Sequence, residues 1–337
     1  MPETVKPRVR LHDLDRAKGL GIFLVVLGHI VATDPPVGNE WYVPLRSLIY
    51  HFHMPFFLFI TGLVAGVTCA PVGDARGYRR FVARKFDRLI PPYLLMAAVV
   101  FAGKWLAQSA VHVDHPIVSP ADFLEVFYSP RTSYSRYLWY IYVLFPYYLF
   151  VPALVADRKP ARWVPALVLA LALSCYGQYG DPPPWFGIDL FCEYAIFFYG
   201  GVVAGVHWRT YVRFVERWGA TVAAVFVVAL VGDGARWWDV SRLWAGLLSC
   251  AGLHRMVRHE FACGDALEFL GRYSFPIYLL NTIAIGSVKA VVLRFTSWDG
   301  ANFLVIAPLL LMSGLLLPIA AREAVLRRIP LLDRWTA

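Results

Sequence analysis

Charge is scarce in this sequence. Only 16% of its 337 residues are Asp, Glu, Lys or Arg, whereas a soluble globular chain carries about a quarter. So few charged groups cannot cover a water-facing surface at this length, which excludes an ordinary soluble domain. Cysteine chemistry is also thin. Cys69, Cys175, Cys192, Cys250 and Cys263 form neither a CxxC pair nor a Cys/His metal spacing. They read as small buried apolar residues, not as a disulfide framework or a zinc module. Strand-type alternation, low-complexity runs and an internal repeat are missing as well. Met1 to His12 is polar and basic, and the apolar stretch after it has no cleavage-site pattern, so no signal peptide is expected.

What is present in abundance is apolar sequence, 58% of the chain. Runs of about twenty apolar residues recur, the length that crosses a bilayer as a helix. Ten candidate spans can be drawn, at about 14–33, 44–69, 88–109, 137–156, 163–178, 188–207, 219–232, 241–257, 272–294 and 301–321. The seventh is short unless it reaches back through Tyr211–Trp218. The fold expected is all-α and polytopic, one transmembrane domain over 1–337, with both termini cytoplasmic and tails at 1–13 and 322–337. Charge placement supports this order of spans. With the N-terminus inside, the inner segments hold 24 of the 32 Lys and Arg, a bias that follows the positive-inside rule loop by loop. The net charge of +9 is therefore a topology signal, and no nucleic-acid partner is expected. The outer segments differ in character. Residues 110–136 contain His112, Asp114, His115, Asp122 and Glu125, and Gly180–Asp189 and Gly232–Arg242 mix Trp or Phe with carboxylates. Such mixtures stack on and hydrogen-bond sugars; they also form the interfacial aromatic belt of membrane proteins.

Ionisable groups within the spans are few, and such groups default to function because hydrocarbon penalises them. They are His29, His51, His53 and Glu193, with Asp15, Lys18 and Lys289 at span ends. Lys18 and His29 are eleven residues apart, close to three helical turns. They share one face of the first span, about 16 Å apart along its axis. A neutral imidazole can take a proton from an alcohol and return it to a leaving group; it can equally serve as a hydrogen bond between helices. His51 and His53 fall on different faces of a helix, so at most one should face the same cavity as His29. Met54-Pro55 should kink that span. No metal is expected, because i,i+2 histidines suit one ion poorly. Arg76 to Arg88 interleaves basic and apolar residues at helical spacing. It reads either as an interfacial helix on anionic lipid or as a dock for a phosphorylated ligand, for which Arg79, Arg80, Arg84, Lys85 and Arg88 are the candidates.

Five stretches, in order, resemble the motifs of the integral-membrane acyltransferase 3 family, in particular its fucose O-acetylase-like branch. Leu14-Asp15 with Lys18 and His29 resembles the first-span signature. Phe52-His53-Met54-Pro55-Phe56-Phe57-Leu58-Phe59-Ile60-Thr61-Gly62 is similar to the family's HMPLFFFISGY. Lys85-Phe86-Asp87-Arg88 before Pro91-Pro92-Tyr93 resembles its RxxR element. Tyr137-Leu138-Trp139-Tyr140-Ile141 resembles LWFL, and Arg272 to Asn281 resembles the late SLxIYLLH element. Two departures stand out: Lys85 opens the RxxR element, and Asn281 stands where many relatives have histidine.

The resemblance implies a membrane O-acyltransferase, most specifically an O-acetyltransferase, in the bacterial inner membrane. It would move an acyl group from cytoplasmic acyl-CoA, with acetyl-CoA as donor, to a hydroxyl of a carbohydrate or glycoside acceptor. His29, with Lys18 and Asp15 of the same signature, would form the catalytic set. The basic segment would hold the CoA phosphates. His53, Trp139, Glu193, Tyr278 and Asn281 would serve the acceptor. The same intramembrane His and Glu groups also fit a secondary transporter or flippase; the lack of a repeated half speaks against it.

Overall fold

A computed structural model describes residues 11–31, 35–109, 113, 115–156, 159–234 and 241–336. His112 and Asp114 of the first outer segment, and 235–240 of the third, lie outside the described residues. Thirteen α-helices follow one another, and no strand occurs among the described residues. They are α1 (His12–His29), α2 (Tyr42–Thr68), α3 (Ala75–Ala107), α4 (Glu125–Tyr128), α5 (Trp139–Val155), α6 (Pro160–Tyr179), α7 (Ile188–Val206), α8 (Trp208–Gly234), α9 (Arg242–Arg258), α10 (Gly264–Arg272), α11 (Ser274–Val292), α12 (Phe303–Ala324) and α13 (Pro330–Thr336).

Eight of the ten expected spans are long and apolar enough to cross a membrane. Of the other two, α1 carries Asp13, Asp15, Arg16 and Lys18 in its first two turns, and α9 is only 17 residues long. The short seventh span is in fact a 27-residue helix that begins at Trp208. The basic segment and the third span form one helix of 33 residues, capped by the Asp74 carboxylate on the Gly77 N–H. Pro55 does not break α2, which remains a single helix of 27 residues. The expected C-terminal tail is partly folded: α12 runs on to Ala324, and Arg334 of α13 pairs with Asp87 of α3.

The bundle is layered around α2 and α7. Their apolar windows are 72% buried, whereas those of α6 and α8 are 11% and 17% buried. Lipid-facing helices are expected to bury little. Gly62 and Gly66 of α2 meet Gly201 and Gly205 of α7, and a Cβ at any of the four would overlap backbone of the facing helix. These are two small-xxx-small stripes laid against each other, the arrangement that lets membrane helices touch backbone to backbone. A second close crossing joins α1 to α10. A Cβ on Gly271 would overlap the Asp15 carbonyl, and one on Gly19 would overlap the Leu267 carbonyl.

Ionic contacts secure the N-terminal end of α1. Arg258 pairs with Asp13 and also reaches Glu216 at 2.7 Å. His12 sits 2.9 Å from Glu268, which also accepts from Arg272 at 3.0 Å. The His12 contact, with Arg272 beside it, holds the Glu268 carboxyl below the usual carboxylate range.

Candidate functional site

His29 is the last residue of α1. A helix C-terminus leaves its final carbonyls without intrahelical partners, and here α2 supplies them. Tyr42 donates to the Leu27 carbonyl, Tyr50 to Gly28 at 2.9 Å, and Arg46 to Val31 at 2.5 Å. Three side chains on one face of α2 thus fix the turn that carries the imidazole. Gly28 is needed for this, because a Cβ there would run into the Tyr50 ring.

The imidazole is aimed by α11. His29 Nδ1 lies 2.8 Å from Asn281 Oδ1. Asn281 is fully buried, and its amide nitrogen donates to the Ile277 and Tyr278 carbonyls, both at 2.9 Å. Carbonyls only accept, so the amide must present its NH2 to them and its oxygen to His29. That oxygen also only accepts, so His29 Nδ1 carries the proton. The lone pair of the neutral ring is therefore on Nε2. His29 as a whole is partly buried.

His53 is buried, and its Nδ1–H donates to the Ile49 carbonyl at 2.8 Å. Its ring centroid stands 4.9 Å from that of Tyr50. His51 points elsewhere and bonds to the Ser47 carbonyl at 2.8 Å. The two histidines do face different ways, as the i,i+2 spacing requires. Trp139 stacks on Tyr194 at 4.8 Å and 27°. Tyr278 donates to the Tyr137 carbonyl, and its ring packs 5.1 Å from Tyr140, whose hydroxyl meets Thr61 at 2.6 Å. The polar groups of Tyr278 and Asn281 are thus hydrogen-bonded within the protein.

Glu193 is also committed. The turn before α7 passes through left-handed backbone at Phe186 and Gly187, with φ of 57° and 66°. Asp189 and Glu193 then share a face one helical turn apart. Arg131 bridges both carboxylates, and Arg242 takes the second Glu193 oxygen. Sequence reasoning did not pair these groups. The signal was there, because a carboxylate buried in a span requires a cation, and the arginines of outer segments are the exceptions to positive-inside placement.

Lys18 and Asp15 form an ion pair of 2.7 Å near the N-terminal end of α1, where α10 crosses. Helix rise puts Lys18 about 16 Å and Asp15 about 21 Å from His29 along the axis. They do not touch the imidazole. On α3, Arg79, Arg80, Arg84 and Arg88 are exposed, but Lys85 turns inward with Nζ 3.7 Å from the Tyr148 ring centroid. A shallow depression of about 340 Å³ lies beside Tyr78, Arg79 and Phe86. Among the described residues no group of three His, Cys, Asp or Glu side chains could hold a metal ion.

Comparison with known proteins gives these positions a context. The profile of the acyltransferase 3 family, described as an acyltransferase domain, matches residues 11–323. The nodulation protein NolL of Sinorhizobium fredii is 28% identical over 172 residues, 47% of this chain and 41% of the relative. NolL of Mesorhizobium japonicum is 26% identical over 165 residues, 48% of this chain and 41% of the relative. The matched region thus spans about two-fifths of the length of these curated relatives. No solved structure matches the chain.

Proposed function

The chain belongs to the acyltransferase 3 family, and from that premise we propose that it is an O-acyltransferase of the inner membrane. It takes an acetyl group from cytoplasmic acetyl-CoA and places it on a hydroxyl of a carbohydrate or glycoside. The observation that carries this reading is the His29–Asn281 pair, because it leaves a neutral imidazole with its lone pair on Nε2, the nitrogen that Asn281 does not hold.

The chemistry follows from that tautomer. His29 Nε2 takes the proton of the acceptor hydroxyl as its oxygen attacks the thioester carbonyl. The tetrahedral oxyanion collapses, the C–S bond breaks, and the leaving thiolate takes the proton back from Nε2. Asn281 acts as a positioning residue that fixes the ring and shares the charge of the transient imidazolium through the Nδ1–H contact. Lys18 and Asp15, about 16 Å and about 21 Å away by helix rise, belong with donor binding. A pantetheine arm has a comparable reach. Arg79, Arg80, Arg84 and Arg88 offer forks for the CoA phosphates, with Lys85 as a point charge held on Tyr148. Trp139, His53 and Glu193 shape the opposite end, where the acceptor enters.

The test uses purified protein, labelled acetyl-CoA and a panel of glycosides. Wild type should release CoA only with an acceptor and give a product heavier by one acetyl group. His29→Ala should express and insert normally yet lose transfer by at least ~100-fold, the lower range for a general base. Near wild-type transfer by His29→Ala would overturn the assignment.

A further inference from the structure

The outward face of α8 is built in two parts. Arg209, Arg213 and Arg217 recur at i, i+4 and i+8, so they lie along one side of the helix. Thr221, Ala224, Val228 and Val231 continue that side towards the C-terminal end, and all of these side chains are exposed. The opposite side carries Val215, Gly219 and Phe226, which are buried. A Cβ on Gly219 would meet the stem of Arg255 on α9, and the Phe226 ring packs 5.0 Å from Phe52 of α2. α8 is therefore a peripheral helix, with three cations at one end of its free face and mostly apolar side chains along the rest.

These cations have no anion of their own. Among the described residues none of the three arginines forms an ion pair. Arg213 reaches the Thr210 hydroxyl at 3.5 Å, and the Arg217 guanidinium lies 5.4 Å from the Trp218 ring centroid. Glu216, the carboxylate in the same half of the helix, is turned to α9. There it meets Arg258 at 2.7 Å, His259 at 3.5 Å and Arg255 at 3.9 Å. Depth fits as well. From Arg217 to Gly234 the helix rises about 26 Å, close to the hydrocarbon thickness of about 30 Å. With that stretch in hydrocarbon, Arg217 stands at its edge, and Arg209 and Arg213 stand in the headgroup layer. Trp218, 48% exposed, is then at the level where interfacial aromatics gather.

We propose that this face of α8 is a docking site for an anionic phospholipid. The guanidinium forks of Arg209, Arg213 and Arg217 hold its phosphodiester, and its acyl chains lie along Thr221, Ala224, Val228 and Val231. The cations choose the headgroup, and the apolar continuation calls for chains attached to it, which separates a lipid from a soluble phosphate. The site is remote from His29. Glu216 and Arg258 connect this end of α8 to Asp13 at the start of α1, and His29 is the last residue of that helix. The lipid is therefore neither donor nor acceptor of an acyl group, and the site stands independently of the acyl-transfer reading.

The test is native mass spectrometry of the full chain in detergent, titrated with phosphatidylglycerol, phosphatidylcholine or glycerol 3-phosphate. One basic side chain near an anionic lipid surface strengthens binding by about fivefold. Wild type should therefore bind phosphatidylglycerol at least ~10-fold more tightly than either of the other two probes. The triple variant Arg209→Gln, Arg213→Gln and Arg217→Gln should bring the two lipids to near parity. Arg213→Gln alone, with an expected loss of about fivefold, serves if the triple variant is not recovered. A variant that loses the same charge on α3, Arg76→Gln with Arg79→Gln and Arg80→Gln, should keep the wild-type preference. Equal binding of the two lipids by wild type would overturn the proposal, as would a preference that survives the α8 substitutions or is lost in the α3 variant instead. Glycerol 3-phosphate binding as tightly as phosphatidylglycerol would remove the lipid. A lipid-independent dimer that disappears in the α8 variant would give the face to a second copy of the chain.

Discussion

Replacing Asn281 by Leu tests the tautomer argument at its narrowest point. The side chain is fully buried and shaped like Leu, so the substitution leaves little void. It removes the one acceptor that His29 Nδ1–H meets, at 2.8 Å. The Ile277 and Tyr278 carbonyls keep their helical partners within α11. One hydrogen bond of this kind contributes about 0.5–1.5 kcal/mol net. If it holds the ring in the reactive tautomer and orientation, its loss slows the chemical step by about 2- to 13-fold, since 1.36 kcal/mol is a factor of ten. The assay is single-turnover CoA release at saturating donor and acceptor. The companion measurement is nitrogen NMR of protein labelled at histidine, which distinguishes a protonated ring nitrogen from one with a lone pair. Wild type should show His29 protonated at Nδ1, and Asn281→Leu should show a mixture of tautomers. A purely structural role would lower yield or stability without changing that mixture. Single-turnover rates within twofold of wild type, or a wild-type ring protonated at Nε2, would refute the reasoning.

Three other outcomes follow from the geometry. Glu193→Ala leaves Arg131 and Arg242 facing each other without the carboxylate between them, and should lower stability by about 3 kcal/mol, the lower end for breaking a buried pair because both arginines are partly exposed; thermal unfolding in detergent reads it. Gly271→Ala should separate α1 from α10 and reduce donor binding more than it reduces the yield of folded protein, measured by CoA titration after size-exclusion chromatography. The Glu268 carboxyl is held below its ordinary value by His12 and Arg272, so its stabilisation is fully present above the ordinary carboxylate range of about 4.3 and is lost as pH falls through the lower folded value. Melting temperature against pH should therefore drop more steeply below about pH 4 for wild type than for Glu268→Gln.

The helical, polytopic fold was legible because hydrocarbon thickness and backbone satisfaction leave few solutions. Run length alone located eight spans. It left the seventh short unless it reached back through Tyr211–Trp218, as the helix does, because Trp208–Trp218 interleaves charge with aromatics, a pattern that blurs a helix continuing past the apolar window. Of the site, His29 was legible because an imidazole in a span is anomalous wherever it sits. Its partner Asn281 was visible as a polar intramembrane residue, but not as the group that sets the tautomer. That role depends on which carbonyls its amide meets, and those are local to α11. Tyr42, Arg46 and Tyr50 were illegible for a related reason. They satisfy the end of α1 from across the bundle, and no local sequence pattern encodes a partner on another helix. Lys85 shows the same limit, because its motif does not encode the Tyr148 ring on which packing sets its Nζ.

The length of α3 leaves chain beyond a single crossing. Its 33 residues make a rod of about 50 Å, whereas the hydrocarbon core is about 30 Å thick. The surplus does not stand alone: Tyr78 donates to the Leu149 carbonyl at 3.2 Å, Phe86 packs on Phe145, and Asp87 pairs with Arg334. The arginine-bearing end of α3 is thus tied to α5 and α13, so a displacement of that end has to be shared by three helices.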